Sequence, residues 1–202
     1  SSSGSNDLKN TDNLRTKIIN NLNFQSLDII NNNGFKSEYN LYLKNLNTVG
    51  KNDSIYKSSP QVEVMSILEL NTSLPMIKKT ESSINYFTPK ASIRFNPGDM
   101  KDYNSSDRSI NIDGIFDINR LAIDDSFEEG KSITLGVEYK KTELNNINRF
   151  FEAKLATVYR NKNEKFIPHS SVINGKESNI FGSISNNLSE FLNISYDFIL
   201  DN

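Results

Sequence analysis

The stretch Ser132-Ile133-Thr134-Leu135-Gly136-Val137-Glu138-Tyr139-Lys140 decides the fold class. Its odd positions are Ile, Leu, Val and Tyr; its even positions are Ser, Thr, Gly, Glu and Lys. Period two over nine residues is the signature of a β-strand with one apolar face, and a helix does not produce it. The same alternation recurs at Leu192, Ile194, Tyr196, Phe198 and Leu200, set against Asn193, Ser195 and Asp197. It recurs again at Phe151, Ala153, Leu155 and Tyr159, at Pro89, Ala91, Ile93 and Phe95, and more weakly at Tyr39, Leu41 and Leu43.

Less regular strand candidates are residues 22–29, 62–70, 110–118 and 179–185. Asn31-Asn32-Asn33-Gly34 has the composition of a hairpin tip. Residues 50–54, 104–107 and 161–164 read as exposed loops. The spacing predicts eight to ten strands of roughly nine residues. Residues 8–21 read as strand or loop rather than helix, since Thr and Asn are frequent there. The Ser1-Ser2-Ser3-Gly4-Ser5-Asn6 start reads as a flexible lead over residues 1–7 or an expression remnant. The final residues stay strand-like up to the last, so residues 8–202 are expected to be part of one incomplete domain.

Composition removes several function classes. The 202 residues include 23 Lys+Arg and 25 Asp+Glu, without the basic excess usual for nucleic-acid binders. No apolar run approaches a transmembrane helix in length. There is no Cys, so disulfides and thiolate chemistry are excluded. The single His, His169, excludes multi-His metal sites and leaves little room for a Ser-His nucleophile. The 30 Asn residues are accounted for by codon bias, which alters residue choice but not periodicity.

Period two with one apolar face fits a soluble β-sandwich with that face buried. It fits equally an outer-membrane barrel with that face turned to lipid and a polar lumen. Three features favour the barrel. The strands are longer than the five or six residues usual elsewhere. Their polar faces carry full charges such as Arg94, Glu138, Glu152 and Lys154. Aromatics such as Tyr139, Phe151, Tyr159 and Tyr196 lie near strand ends, as interfacial girdles require.

Three further stretches bear a family resemblance. They are Phe116-Asp117-Ile118-Asn119-Arg120-Leu121 with Asp125 and Glu128-Glu129-Gly130; Leu155-Ala156-Thr157-Val158-Tyr159-Arg160 with Phe166-Ile167-Pro168-His169-Ser170-Ser171; and Glu177-Ser178-Asn179-Ile180-Phe181-Gly182. In this order they resemble the C-terminal barrel of the LptD (OstA/Imp) family of lipopolysaccharide-assembly proteins. Ser73-Leu74-Pro75 and Phe87-Thr88-Pro89-Lys90 look like further strand starts of that family. The resemblance covers about residues 60–202, with 8–60 matching by pattern. Ile123, Ser126, Ala156-Thr157, Val172 and Asn179 depart from the family's pattern.

The resemblance implies an all-β, antiparallel, up-and-down transmembrane barrel fragment: an open curved sheet from a larger barrel. It implies a place in the outer-membrane translocon that inserts lipopolysaccharide into the outer leaflet, with no catalysis and no cofactor. The implied partners are lipopolysaccharide, outer-membrane lipid, a plug lipoprotein of the LptE type, and a periplasmic bridge protein of the LptA type reached through a jellyroll absent from this chain. An isolated piece with two open edges is expected to aggregate. The competing functions are a secreted adhesin or carbohydrate-binding sandwich and a general porin. A sandwich would bury Ile133, Leu135, Val137 and Tyr139; a barrel leaves them bare. A porin would need a constriction loop with both charge signs, and the sequence shows none.

Asp124-Asp125 with Glu128-Glu129 invites a Ca²⁺ or glycosidase reading, but the spacing matches no known loop, and a solvated turn is the expectation. His169 is expected at the surface. The one polar group singled out is a lumen-facing network of Asn119, Arg120, Asp125, Glu128 and Arg160. In it Arg120 points inward and is braced by Asp125 or Glu128; the alternative is an exposed turn.

Overall fold

The computed structural model describes residues 1–10, 12–53, 56–189 and 191–201. Ser54, the end of the expected loop at 50–54, and Asn202 lie outside them. Among the described residues eleven strands form one antiparallel sheet. They are β1 (Ser2–Asn10), β2 (Asn13–Gln25), β3 (Ile29–Ile30), β4 (Lys36–Lys51), β5 (Gln61–Ser73), β6 (Met76–Lys79), β7 (Ser83–Asn96), β8 (Gly130–Glu143), β9 (Phe150–Arg160), β10 (Ile180–Ser189) and β11 (Leu192–Leu200).

The sheet runs β1-β2-β4-β5-β7-β8-β9-β10-β11, with β3 also on β4 and β6 also on β7. The two short strands are continuations of their predecessors. Gln25 pairs with Asn40 and Ile29 with Ser37, so β2 and β3 form one rung with a lapse between them. Ser73 pairs with Lys90 and Met76 with Phe87, so β5 and β6 form another, broken at Leu74-Pro75. Pro75 has no N–H to donate, which is why the ladder lapses there. The result is an up-and-down meander of nine rungs, each hairpinned to the next.

Connection lengths differ between the two ends. At one end the chain turns through residues 31–35, 80–82, 144–149 and the short link before Leu192. At the other it makes the short link from β1 to β2, the loops 52–60 and 161–179, and the long loop 97–129. Short turns throughout one end and all the long loops at the other are the habit of outer-membrane barrels.

Burial is inverted relative to a soluble sheet. On β8, Ser132 (4% exposed) and Thr134 (2%) are buried while Ile133 (43%) and Leu135 (45%) are bare. Val137 and Tyr139 on the same side are half-buried. On β7, Ser92, Arg94 and Asn96 are buried while Ile93 and Phe95 are exposed. No second sheet lies over the apolar face among the described residues, so the sandwich expectation fails.

The polar face is covered by the long loop. Its Met100, Ile110, Ile112, Ile115, Leu121 and Ile123 pack with Ile167 and Ile173 of loop 161–179 onto Ala156, Val158 and Phe181. Phe127 joins Ile19, Leu46, Met65 and Ile67 from β2, β4 and β5. Residues 110–118, expected as a strand, therefore form no ladder. Their isoleucines are anchors on the sheet, and Asn111 and Gly114 instead form a side-chain-closed turn, with Gly114 N–H on Asn111 Oδ1 at 2.9 Å. From the sequence no loop carrying both charge signs is expected; the structure has a long loop folded onto the polar face, and its Arg120 and Glu128 are buried and paired with each other.

Residues 1–7, for which the sequence suggests a flexible lead, are largely strand. Gly4 pairs with Ile18 and Asp7 with Arg15. The hydrogen-bonding edge of β2 imposes the extended form on a stretch whose composition does not favour it.

Candidate functional site

A cluster of five charged side chains is buried beneath the long loop. Glu69 on β5 and Arg94 on β7 are direct cross-strand neighbours. Arg94 Nη2 donates to Glu69 Oε2 at 2.8 Å and Nε to the same oxygen at 3.2 Å. Its guanidinium also reaches Glu128 at 3.5 Å and the carbonyl of Asp117. Arg160, at the end of β9, comes in from the other side and donates to Glu128, to Ile173 O at 2.7 Å and to Glu129 O at 3.1 Å.

Arg120 closes the cluster from above. Its Nε donates to Glu128 Oε2 at 2.7 Å and its Nη2 to Oε1, the bidentate fork that guanidinium geometry favours. The remaining donors meet Thr134 Oγ1 at 2.9 Å and Ser132 Oγ at 3.2 Å on β8. Glu128 thus receives three arginines, all with side chains almost fully buried. Burial alone would push its carboxyl up. The charges of Arg120, Arg160 and Arg94, with the hydrogen bond from Arg120, outweigh that and hold it well below the usual carboxylate range. Burial lowers Arg120 to about 10, so it stays charged at neutral pH.

Two of the five expected residues are elsewhere. Asp125 accepts from Tyr56 Oη at 3.1 Å and from Tyr103, with Lys101 at 3.6 Å. It ties loop 52–60 to the long loop and does not brace Arg120. Burial raises its carboxyl, and the Tyr103 bond and the Lys101 charge more than reverse this. Asn119 bridges its own turn: Nδ2 donates to Ile123 O at 3.0 Å, and Ile123 N–H to Oδ1 at 3.3 Å. That turn aims Arg120 at the sheet. Arg120, Glu128 and Arg160 do meet, and Glu69 and Arg94 complete the group. Charged residues on the polar side of two strands were the available signal for that pair; their juxtaposition depends on register.

The four acidic residues of 124–129 diverge. Asp124 offers its carbonyl to Lys44, Asp125 its carboxylate to tyrosines, Glu128 to arginines and Glu129 to Met100 N–H at 3.0 Å. No group of three or more metal-ligand side chains forms among the described residues. His169 is exposed, with Nδ1 2.9 Å from Asn174 Nδ2.

The bare face has an order of its own. Met76, Phe87, Tyr139 and Ala153 form one row across β6–β9. Leu70, Ile93, Ile133 and Tyr159 form another, with Leu68 and Phe95 beyond it. From Phe87 to Phe95 the strand covers ~26 Å. At a tilt of ~40° that projects to ~20 Å, near the ~25 Å apolar band of outer-membrane barrels. Aromatics mark both limits.

A family profile described as "LptD: LPS transport system D" matches residues 14–202. The chain belongs to the LptD family. No curated protein matches it significantly. LptD proteins serve lipopolysaccharide transport and outer-membrane assembly, and the family is a transport component rather than an enzyme family. The LptD match runs through the whole of the long loop and its arginine–glutamate cluster.

Proposed function

We propose that this chain is barrel wall in the outer-membrane translocon that inserts lipopolysaccharide into the outer leaflet. The observation that carries the reading is the inverted burial: rows of Ile, Leu, Phe and Tyr stand bare while Arg94, Arg120, Arg160, Glu69 and Glu128 are enclosed on the other side. In water that arrangement is unfavourable; in a bilayer the bare rows meet hydrocarbon. The polar face then lines a lumen, and the long loop lies across it from the long-loop end. The chain performs no bond chemistry; its residues shape and guard a passage.

A lumen of this kind would accept the sugar part of lipopolysaccharide and a plug lipoprotein of the LptE type. A bridge protein of the LptA type would deliver the lipid from the periplasm. The test is photocrosslinking in cells. A crosslinker placed at Lys90 or Glu138, on the polar face, is expected to capture the plug. One placed at Leu135, in a row that meets the lipid of the bilayer, is expected not to capture it. Equal capture from both faces, or none from the polar face, overturns the reading.

A further inference from the structure

A groove of about 480 Å³ opens on the bare face near the short-turn end, floored by Met76, Phe87 and Tyr139. It exists because β5 breaks at Pro75. The continuing strand β6 pairs with β7 only, and β4 begins opposite Ser73, so the wall lacks a strand beside β6. The next row toward the turns is Lys78, Asn85 and Lys141, side by side on three adjacent strands. The two lysines are therefore ~10 Å apart at the backbone, on the same face of the sheet with Asn85 between them. Asn85 is held in place, accepting from Tyr139 Oη at 2.9 Å. Neither lysine forms an ion pair among the described residues. The nearby carboxylate of Glu143 faces Arg149 at 3.9 Å instead.

An apolar slot lined at its end by Lys78, with Lys141 two strands away in the same row and neither in an ion pair, has the polarity of a single glycerophospholipid. We propose that this groove binds one acidic phospholipid of the leaflet at the short-turn end. Its phosphate lies between Lys78 and Lys141, and an acyl chain lies along Met76 and Phe87. Lysine supplies point-charge recognition of phosphate, and the volume suits a chain rather than a whole lipid. The inference rests on the membrane orientation proposed above.

The test uses the full-length protein extracted from membranes in mild detergent, with phosphatidylglycerol added in mixed micelles. Retained lipid is counted by native mass spectrometry. Lys78→Gln with Lys141→Gln is expected to lower retention about tenfold, equivalent to ~1.4 kcal/mol. Lys140→Gln, one position away and on the opposite face, is expected to leave it unchanged. Excess inorganic phosphate is expected not to displace the lipid. Equal retention by the double variant, or displacement by phosphate alone, overturns the inference. Heat-modifiable gel migration of the same preparations keeps the two readings apart. Its loss in the unsubstituted protein defeats the barrel itself, whereas intact migration with unaltered retention defeats only the lipid site.

Discussion

The ring of Phe116 rests on Gly136. A Cβ built at position 136 would lie 2.8 Å from Phe116 Cζ and 2.9 Å from the carbonyl oxygen of Leu155. The long loop thus touches the middle of β8 at a residue of its polar face that lacks a side chain, and the Lys90 ammonium lies 5.9 Å from the centroid of the same ring. Gly136→Ala is expected to cost about 1–3 kcal/mol through overpacking. Its readout is faster proteolysis of loop 97–129 in membranes. Adding Phe116→Ala is expected to recover only part of the loss, because the Leu155 carbonyl remains.

Glu128 holds Arg120 and Arg160 together, and breaking a buried charge group by removing one partner is more damaging than replacing the whole. Glu128→Gln is expected to destabilise the docked loop by about 3–5 kcal/mol. Trypsin cleavage at Lys101 and Arg108 in intact cells measures it. Cleavage no faster than in the unsubstituted protein would show that the cluster does not hold the loop.

The two buried acids Glu128 and Glu164 respond to pH with opposite signs. Glu128 has a depressed pKa in the fold, so its contribution is present above the usual carboxylate value and is lost as pH falls through the folded one. Glu164 is raised, first by burial and then by its bond with Glu129. Its protonated form suits the fold, so stability declines as pH rises from the unfolded carboxylate value through the folded one. Glu164→Gln is therefore expected to slow proteolysis of loop 161–179 at pH 7 and to give no advantage at pH 3. The bond to Lys162, at 3.2 Å from a largely exposed ammonium, contributes little against this. Faster cleavage of Glu164→Gln at pH 7 would contradict the sign.

How much of this was legible follows from what each feature depends on. Strand β8 was plain because one face is apolar along its central residues. Arg120 and Glu128 were legible as a pair because they lie eight positions apart in one loop. Arg94 and Glu69 were not: their meeting depends on the β5–β7 register. The isoleucines of 110–118 misled because anchors that pack onto a sheet are the same residue types as those within one; only Ile110 and Ile112 stand at a strand's interval, and Ile115 and Ile118 each follow after three residues. In Ser2–Asn10 the small polar residues carry no strand signal, and the partner's edge supplies the order.

Leu135 lies in the middle row of the bare face, between Ala91 and Thr157, about equally far from the rows of Phe87 and Phe95. A lysine there would be held at the bilayer midplane, where a cation on the lipid face of a barrel costs about 2–4 kcal/mol. Leu135→Lys is expected to reduce the assembled, heat-modifiable form in outer membranes by roughly tenfold or more. Ile147→Lys, in an exposed short turn, is expected to assemble normally because its side chain already meets water. Water around the bare face would reverse the outcome: Leu135→Lys would then leave assembly unchanged and raise solubility. Assembly yield of the two variants, measured side by side, therefore reads directly which solvent those rows face.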